Sequence, residues 1–134
     1  MKWIVRVYGL LQDQHGRYLV LEEYFRGGWI TKFPGGGVEP QEGLLEALYR
    51  EINEELGLSV QRAEHFYTTH FYQRSYYHAQ ARLLAVYYRV FWEGEIRLTS
   101  PRLRFFWLFP ELMALTFPVD RYVQRLLMGE APAE

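Results

Sequence analysis

Glu51, Glu54 and Glu55 stand three and four residues apart, so on a helix turning about 100° per residue they share one face. Three ionised carboxylates that close repel one another and destabilise the bare helix. They also make the hard-oxygen surroundings that Mg²⁺ or Mn²⁺ prefers. Just upstream lies the run Gly35-Gly36-Gly37, which supplies backbone carbonyls and amides, and Arg50 stands between Glu46 and Glu54 at helix-pair spacing. A Glu-rich helix taken alone is most often a solvated face. Here six glutamates crowd into Gly35 to Leu58 of a chain whose formal net charge is only −1, and that concentration argues for a divalent cation.

The elements that must position these residues are legible in outline. KWIVRVYGLLQD alternates and is rich in β-branched residues, QDQHGR is a turn, and YLVLEEYF is a second apolar run, so the two runs read as a hairpin. WITKF is a short strand ending at Pro34, after which the three glycines break regular structure. A helical pattern begins near Leu44, carries Leu45, Leu48, Ile52 and Leu56 on its apolar stripe with Ala47 beside the glutamates, and stops at Gly57. LSVQRAEHFYTTHFY and AQARLLAVYYRVFW are longer strands around the turn QRSYYH. LRFFWLF is a further strand, PELMALT a short helix, and PVDRYVQRLLM a closing helix with Pro118 at its start. Residues 1–134 read as a single domain, with 129–134 as a frayed tail. Strands on both sides of a central helix, with a second helix at the end, predict an α+β fold, an α/β/α sandwich with a mixed sheet.

Composition narrows the function classes. At 134 residues and 49% hydrophobic, the chain can bury a core without staples. The absence of cysteine excludes thiol chemistry, Cys-ligated zinc and disulfides. A pI near 6.4 argues against a basic surface for a nucleic-acid polymer. No stretch reaches the roughly 18 apolar residues of a membrane span, and MKWIVRVYGLL lacks the features of a secretory signal, so the expected location is cytoplasmic. Aromatic residues make up 18% of the chain, and core packing, a homodimer interface and a base-stacking surface all fit that content.

The stretch from Gly36 to Leu58 resembles the signature of the Nudix hydrolases: a Gly, five residues, Glu, seven residues, then Arg-Glu, an aliphatic residue, any residue, Glu-Glu, any residue, Gly and an aliphatic residue. Gly36, Glu42, Arg50, Glu51, Ile52, Glu54, Glu55, Gly57 and Leu58 fill every specified position. The likeness extends to the approach through Trp29, Pro34 and Gly35, and departs from the family at Gln41, where many members carry Gly.

The resemblance implies a Nudix sandwich that hydrolyses a diphosphate linkage in a small nucleotide with the help of Mg²⁺, or Mn²⁺. By motif position, Glu51, Glu54 and Glu55 would bind the metal with a carbonyl of Gly35 or Gly36. Glu42 would support that site, and Arg50 would orient the glutamates. Several family members carry a further catalytic Glu before the last sheet strand, but no acidic residue lies between Ile96 and Pro110 here. Glu54 or Glu55 doubling as base, or Glu93 or Glu95 reaching in, would fill that role. Arg6 and Tyr8 share a face of the first strand, Arg26 and Lys32 flank the approach to the glycines, and Tyr72, Tyr76 and Tyr77 offer stacking surfaces, so these are the expected substrate contacts. A nucleoside di- or triphosphate is the expected substrate; ADP-ribose or a nucleotide sugar is the alternative within the family, and a non-catalytic nucleotide-binding module the alternative outside catalysis.

Overall fold

Alternate residues of the central strands are apolar on both faces, which requires a covering layer on each side. A computed structural model describes residues 2–131. In it β1 (Lys2–Leu10), β2 (Tyr18–Phe25), β3 (Gly28–Lys32), β4 (Gly35–Gly37), α1 (Leu44–Leu56), β5 (Ser59–Thr68), β6 (Ala81–Glu93), β7 (Leu103–Leu108) and α2 (Pro118–Leu127) follow in order, with a 3-10 turn at Pro110–Leu112.

Two cores result. Tyr8 and Leu10 of β1, Tyr18 and Val20 of β2, and Leu83, Ala85 and Tyr87 of β6 pack with Val119, Tyr122 and Val123 of α2. The intervening residues, Val7, Leu19, Leu21, Val86, Tyr88 and Val90, pack with Ala47, Leu48, Ile52 and Leu56 of α1. The fold is therefore an α+β sandwich of α/β/α type. Each fully buried aliphatic such as Leu48 or Ile52 contributes about 1.5–3 kcal/mol.

The strands divide into a four-stranded sheet ordered β4-β1-β6-β5 and a three-stranded sheet ordered β3-β2-β7. β1 and β6 run parallel, with Tyr8 opposite Tyr87, and the other pairings are antiparallel, so the larger sheet is mixed. The expected β1–β2 hairpin does not form. Only a bridge between Gln12 and Tyr18 and a hydrogen bond from the Leu19 amide to the Leu11 carbonyl tie the two runs, because each strand gains more burial as part of a separate sheet. The glycines do not break regular structure either: Gly35–Gly37 is itself a short strand, antiparallel to β1. PELMALT shrinks to the 3-10 turn.

α1 spans the expected residues and ends at Gly57, whose amide donates to the Asn53 carbonyl at 2.8 Å. Its buried stripe is shifted, however. Ala47 is in the core rather than beside the glutamates, and Leu45 is exposed. At the chain end, the Gly129 and Glu130 amides reach the carbonyls of Leu126 and Arg125, while the remainder of the expected tail, 132–134, lies outside the described residues. Among the described residues no helix is long and apolar enough to cross a membrane.

Candidate active site

The antiparallel pairing of β4 with β1 brings the glycine run against the middle of the sheet, with Tyr8 opposite Gly35 and Arg6 opposite Gly37. The approach is too close for side chains. A Cβ on Gly35, whose φ is +146°, would lie 2.0 Å from the Val7 carbonyl oxygen, and one on Gly36 would lie 2.5 Å from the carboxyl carbon of Glu51. Gly36 thus lets α1 lay Glu51 directly against β4.

Arg50 organises the carboxylates. Its Nε and Nη2 donate to the two oxygens of Glu42 at 2.6 and 2.8 Å, a bidentate fork that also reaches the Gly37 carbonyl at 3.0 Å. Nη1 donates to Glu51 at 2.9 Å and Glu54 at 3.3 Å. The hydrogen bonds from Arg50, joined by the backbone near Glu39, hold the Glu42 carboxyl down at about 2, and the same pairing raises Arg50 above the ordinary guanidinium value. Glu46, at helix-pair spacing from Arg50, instead accepts the Gly43 amide at 2.9 Å and caps the helix start.

Glu55 turns the other way. One of its oxygens accepts the Gly35 amide at 2.8 Å, and the other is 3.9 Å from the Lys32 ammonium, which donates to the Gly35 carbonyl at 3.3 Å. Burial pushes Glu55 up to about 7, against the pull of Lys32 and with Glu51 adding to the rise.

The structure gathers some of the expected substrate contacts and scatters others. Arg6 donates to the Tyr8 hydroxyl at 2.6 Å, and its guanidinium lies 4.2 Å from the centre of the Tyr77 ring. Lys32 joins Glu55, but as a buried residue spent on Glu55 and the glycine turn. Arg26 sits at the tip of the β2–β3 turn with φ of 51° and stacks on Phe25. Tyr72 lines a different hollow, with Trp3 and Arg82. Arg102 and Arg104 lie over Tyr24 and Trp29, and Arg104 pairs with Glu22 at 2.6 Å.

Beside the glycine turn opens a pocket of about 230 Å³ walled by Arg6, Tyr8, Ser75, Tyr76, Tyr77 and Phe117. Its volume suits one aromatic ring system. Sequence reasoning missed what stands near it, Asp120 in the first turn of α2. One Asp120 oxygen accepts the Tyr87 hydroxyl; the other, like the Tyr77 hydroxyl, is buried without a hydrogen-bond partner among the described residues. The only signal in the sequence was an acid placed where α2 shows its apolar face.

Burial lifts the Asp120 carboxyl from 3.8 to about 6, although the Tyr87 hydroxyl, Lys32, the Phe33 backbone and Arg6 oppose the rise. The folded state therefore holds this proton more tightly than the unfolded chain, and stability declines as pH climbs from about 4 through 6. A shift of this size corresponds to about 3 kcal/mol at neutral pH. Asp120→Asn, which still accepts from Tyr87, is expected to melt several degrees above the wild type at pH 8 and level with it at pH 4. An unchanged difference across that range in thermal melts would show that Asp120 ionises freely.

The residues present fit a divalent cation in kind. Glu42, Glu51, Glu54 and Glu55 bring four carboxylates against the two cations Arg50 and Lys32, leaving negative charge in surroundings of hard oxygen donors. Among the described residues no three acidic or histidine side chains converge as a ready-made cluster, since Arg50 draws three of these carboxylates to itself. Glu51, Glu54 and Glu55 could hold the ion with a glycine carbonyl of β4.

Comparison with known proteins agrees with this geometry. A family model described as the NUDIX domain matches residues 2–127. Proteins named Phosphatase NudJ, from Escherichia coli K12 and from Shigella flexneri, are each 42% identical over 55 residues, which is 41% of this chain and 35% of theirs. The chain thus spans about a third of the length of these curated relatives. The crystal structure of a MutT NUDIX hydrolase from Burkholderia pseudomallei superposes with a TM-score of 0.78 at 22% identity, covering 93% of this chain and 98% of that one. The solution structure of the E. coli ORF135 protein gives 0.78 at 23% identity, covering 96% and 91%. These two likenesses are of fold.

Proposed function

The chain belongs to the Nudix family, and from that premise we propose that it hydrolyses a diphosphate linkage in a small nucleotide, a nucleoside di- or triphosphate, with Mg²⁺ as the expected cofactor and Mn²⁺ as its substitute. The observation that carries this reading is the juxtaposition of two sites. A carboxylate cluster lies on the glycine strand β4, and Arg6 connects that strand to an aromatic pocket of single-ring size. The name of the NudJ relatives, phosphatase, is in keeping with phosphorus chemistry.

In this reading Glu51, Glu54 and Glu55 hold the cation with a carbonyl of Gly35 or Gly36. When bound, such an ion neutralises phosphate charge and acidifies coordinated water. Arg50 fixes Glu51 and Glu54 for that task and anchors Glu42 as a support. Lys32 and the Gly35 amide hold Glu55 in place. Arg6, which faces Gly37, grips the diphosphate. The base enters the pocket, where Tyr76 and Tyr77 flank it. The proton of the attacking water passes to Glu54 or Glu55. The same reading has the chain work as one cytoplasmic domain on small substrates rather than on a nucleic-acid polymer.

Glu93 and Glu95 stand apart from this arrangement. Glu93 is six residues past Tyr87 on β6, roughly 20 Å along the strand, and Glu95 lines a hollow beside Gly57 at the far end of α1. Glu93→Gln and Glu95→Gln are each expected to keep most of the activity. A hundredfold loss in either would move the base to that end of the molecule.

The direct test is kcat/KM at fixed Mg²⁺ for nucleoside di- and triphosphates, ADP-ribose, a nucleotide sugar and a capped dinucleotide. The simple di- or triphosphates are expected to lead. If a conjugate exceeds all of them, the substrate assignment is wrong. Binding without turnover of any compound would make the chain a nucleotide-binding module.

A further inference from the structure

Glu23 has no part in the chemistry above, yet it stands on β2 between residues that reach the carboxylate cluster on one side and the aromatic pocket wall on the other. Along that strand Leu21, Glu23 and Phe25 point to one side. Leu21 pairs with Lys32, whose ammonium is 3.9 Å from Glu55, and the Phe25 ring lies 5.3 Å from that of Tyr77. Glu23 thus stands between the carboxylate cluster and the aromatic wall. Its charge is felt at both ends, raising Glu55 and Tyr77 alike as a lesser contribution behind burial.

Its neighbour on the opposite face, Glu22, is bonded to Arg104 and Thr31. Glu23 is half-buried and makes no hydrogen bond or ion pair with any described residue. An unneutralised carboxylate beside Glu55 repels phosphate, so the portion of a substrate lying there must bring hydrogen-bond donors instead. In a nucleotide the group between diphosphate and base is the sugar, and a vicinal diol can donate to both oxygens of a carboxylate. An acidic side chain reading ribose hydroxyls is a recurrent solution in nucleotide sites.

We propose that Glu23 accepts hydrogen bonds from the ribose hydroxyls of the substrate and makes this chain selective for ribonucleotides over 2′-deoxyribonucleotides. The inference rests on the nucleotide reading above. It is tested by calorimetric binding of AMP, 2′-deoxy-AMP and purine riboside monophosphate, which requires no turnover, alongside kcat/KM for ADP and 2′-deoxy-ADP. The wild type is expected to favour the ribose forms by roughly 10- to 100-fold, as a charge-assisted hydrogen bond allows. Glu23→Ala should bring that ratio within about threefold, and Glu23→Gln, which keeps one acceptor, should fall between.

A wild-type preference already within about threefold, or an Ala variant that keeps the wild-type preference, overturns the inference alone. So does an Ala variant that instead erases discrimination between AMP and purine riboside monophosphate, which would make Glu23 a reader of the base. Failure of the wild type to bind any of the three overturns the nucleotide reading itself.

Discussion

Glu54→Gln is expected to lower turnover by at least about 10²-fold while leaving the melting temperature where it was. The size follows from losing a positioned carboxylate that serves as ligand or proton acceptor. The clean separation follows from exposure, since the Glu54 side chain is 59% accessible and among the described residues makes only one long hydrogen bond, to Arg50 at 3.3 Å. Gln there keeps shape and an acceptor, so stability has little to lose. Glu55→Gln is a poorer probe because it also removes the charge facing buried Lys32. Wild-type turnover in Glu54→Gln, measured on the best nucleotide at saturating Mg²⁺, would remove Glu54 from the site. Arg50→Ala belongs to the same experiment. It frees Glu42, Glu51 and Glu54 at once, so apparent metal affinity should weaken by roughly 10- to 100-fold and recover in part as Mg²⁺ is raised. A folded variant that no concentration of Mg²⁺ rescues would rule out an orienting role.

Gly35→Ala and Gly36→Ala are expected to fail in opposite ways although they are adjacent. At Gly35 the φ of +146° strains any residue with a Cβ, and the added carbon would meet the Val7 carbonyl at 2.0 Å and the Tyr8 Cα at 2.7 Å, both backbone. Backbone cannot step aside, so β4 must leave β1. Strain and overpacking of this kind cost about 1–3 kcal/mol each, enough to lower the melting temperature by many degrees. At Gly36 the backbone is unstrained and the obstacle is the end of the Glu51 side chain, at 2.5 to 2.6 Å. That carboxylate can swing away at small cost to the fold. Gly36→Ala should therefore remain folded and lose at least about 10-fold in activity at limiting metal. Thermal melts and kcat/KM on both variants decide the matter. A stable, active Gly36→Ala would mean that the position of Glu51 against the turn has no bearing on the reaction.

How much of this was legible beforehand depends on the range of the interaction concerned. Residues three and four apart on a helix are neighbours whatever the rest of the chain does, so the face shared by Glu51, Glu54 and Glu55, the reach of Arg50 to Glu54 and the helix end at Gly57 could be read from spacing. The order of the elements, strands on both sides of a central helix with a second helix at the end, likewise announced a sandwich.

Partner choice was a different matter. β1 and β2 are adjacent in sequence and both apolar, which is the local signature of a hairpin. What decides is that β1 gains a parallel neighbour in β6, stacking Tyr8 on Tyr87 at 5.1 Å, while β2 completes a second sheet with β3 and β7. The same pairing made a strand of three glycines, of which Gly35 lies so close to Val7 and Tyr8 of β1 that a Cβ has no room there.

The sequence by itself, then, determined the carboxylate-bearing helix, its arginine and the family to which they belong, since these are set by spacing within a few turns. Only the tertiary structure decided that Lys32 is buried beside Glu55, that Tyr72 lines a separate hollow, and that Asp120 and Glu23 come near Tyr77 from distant elements. Each of those outcomes depends on which sheet a strand joins and which of its faces turns to the helix. That choice is made by burial summed over the whole chain, and no short stretch of residues carries it.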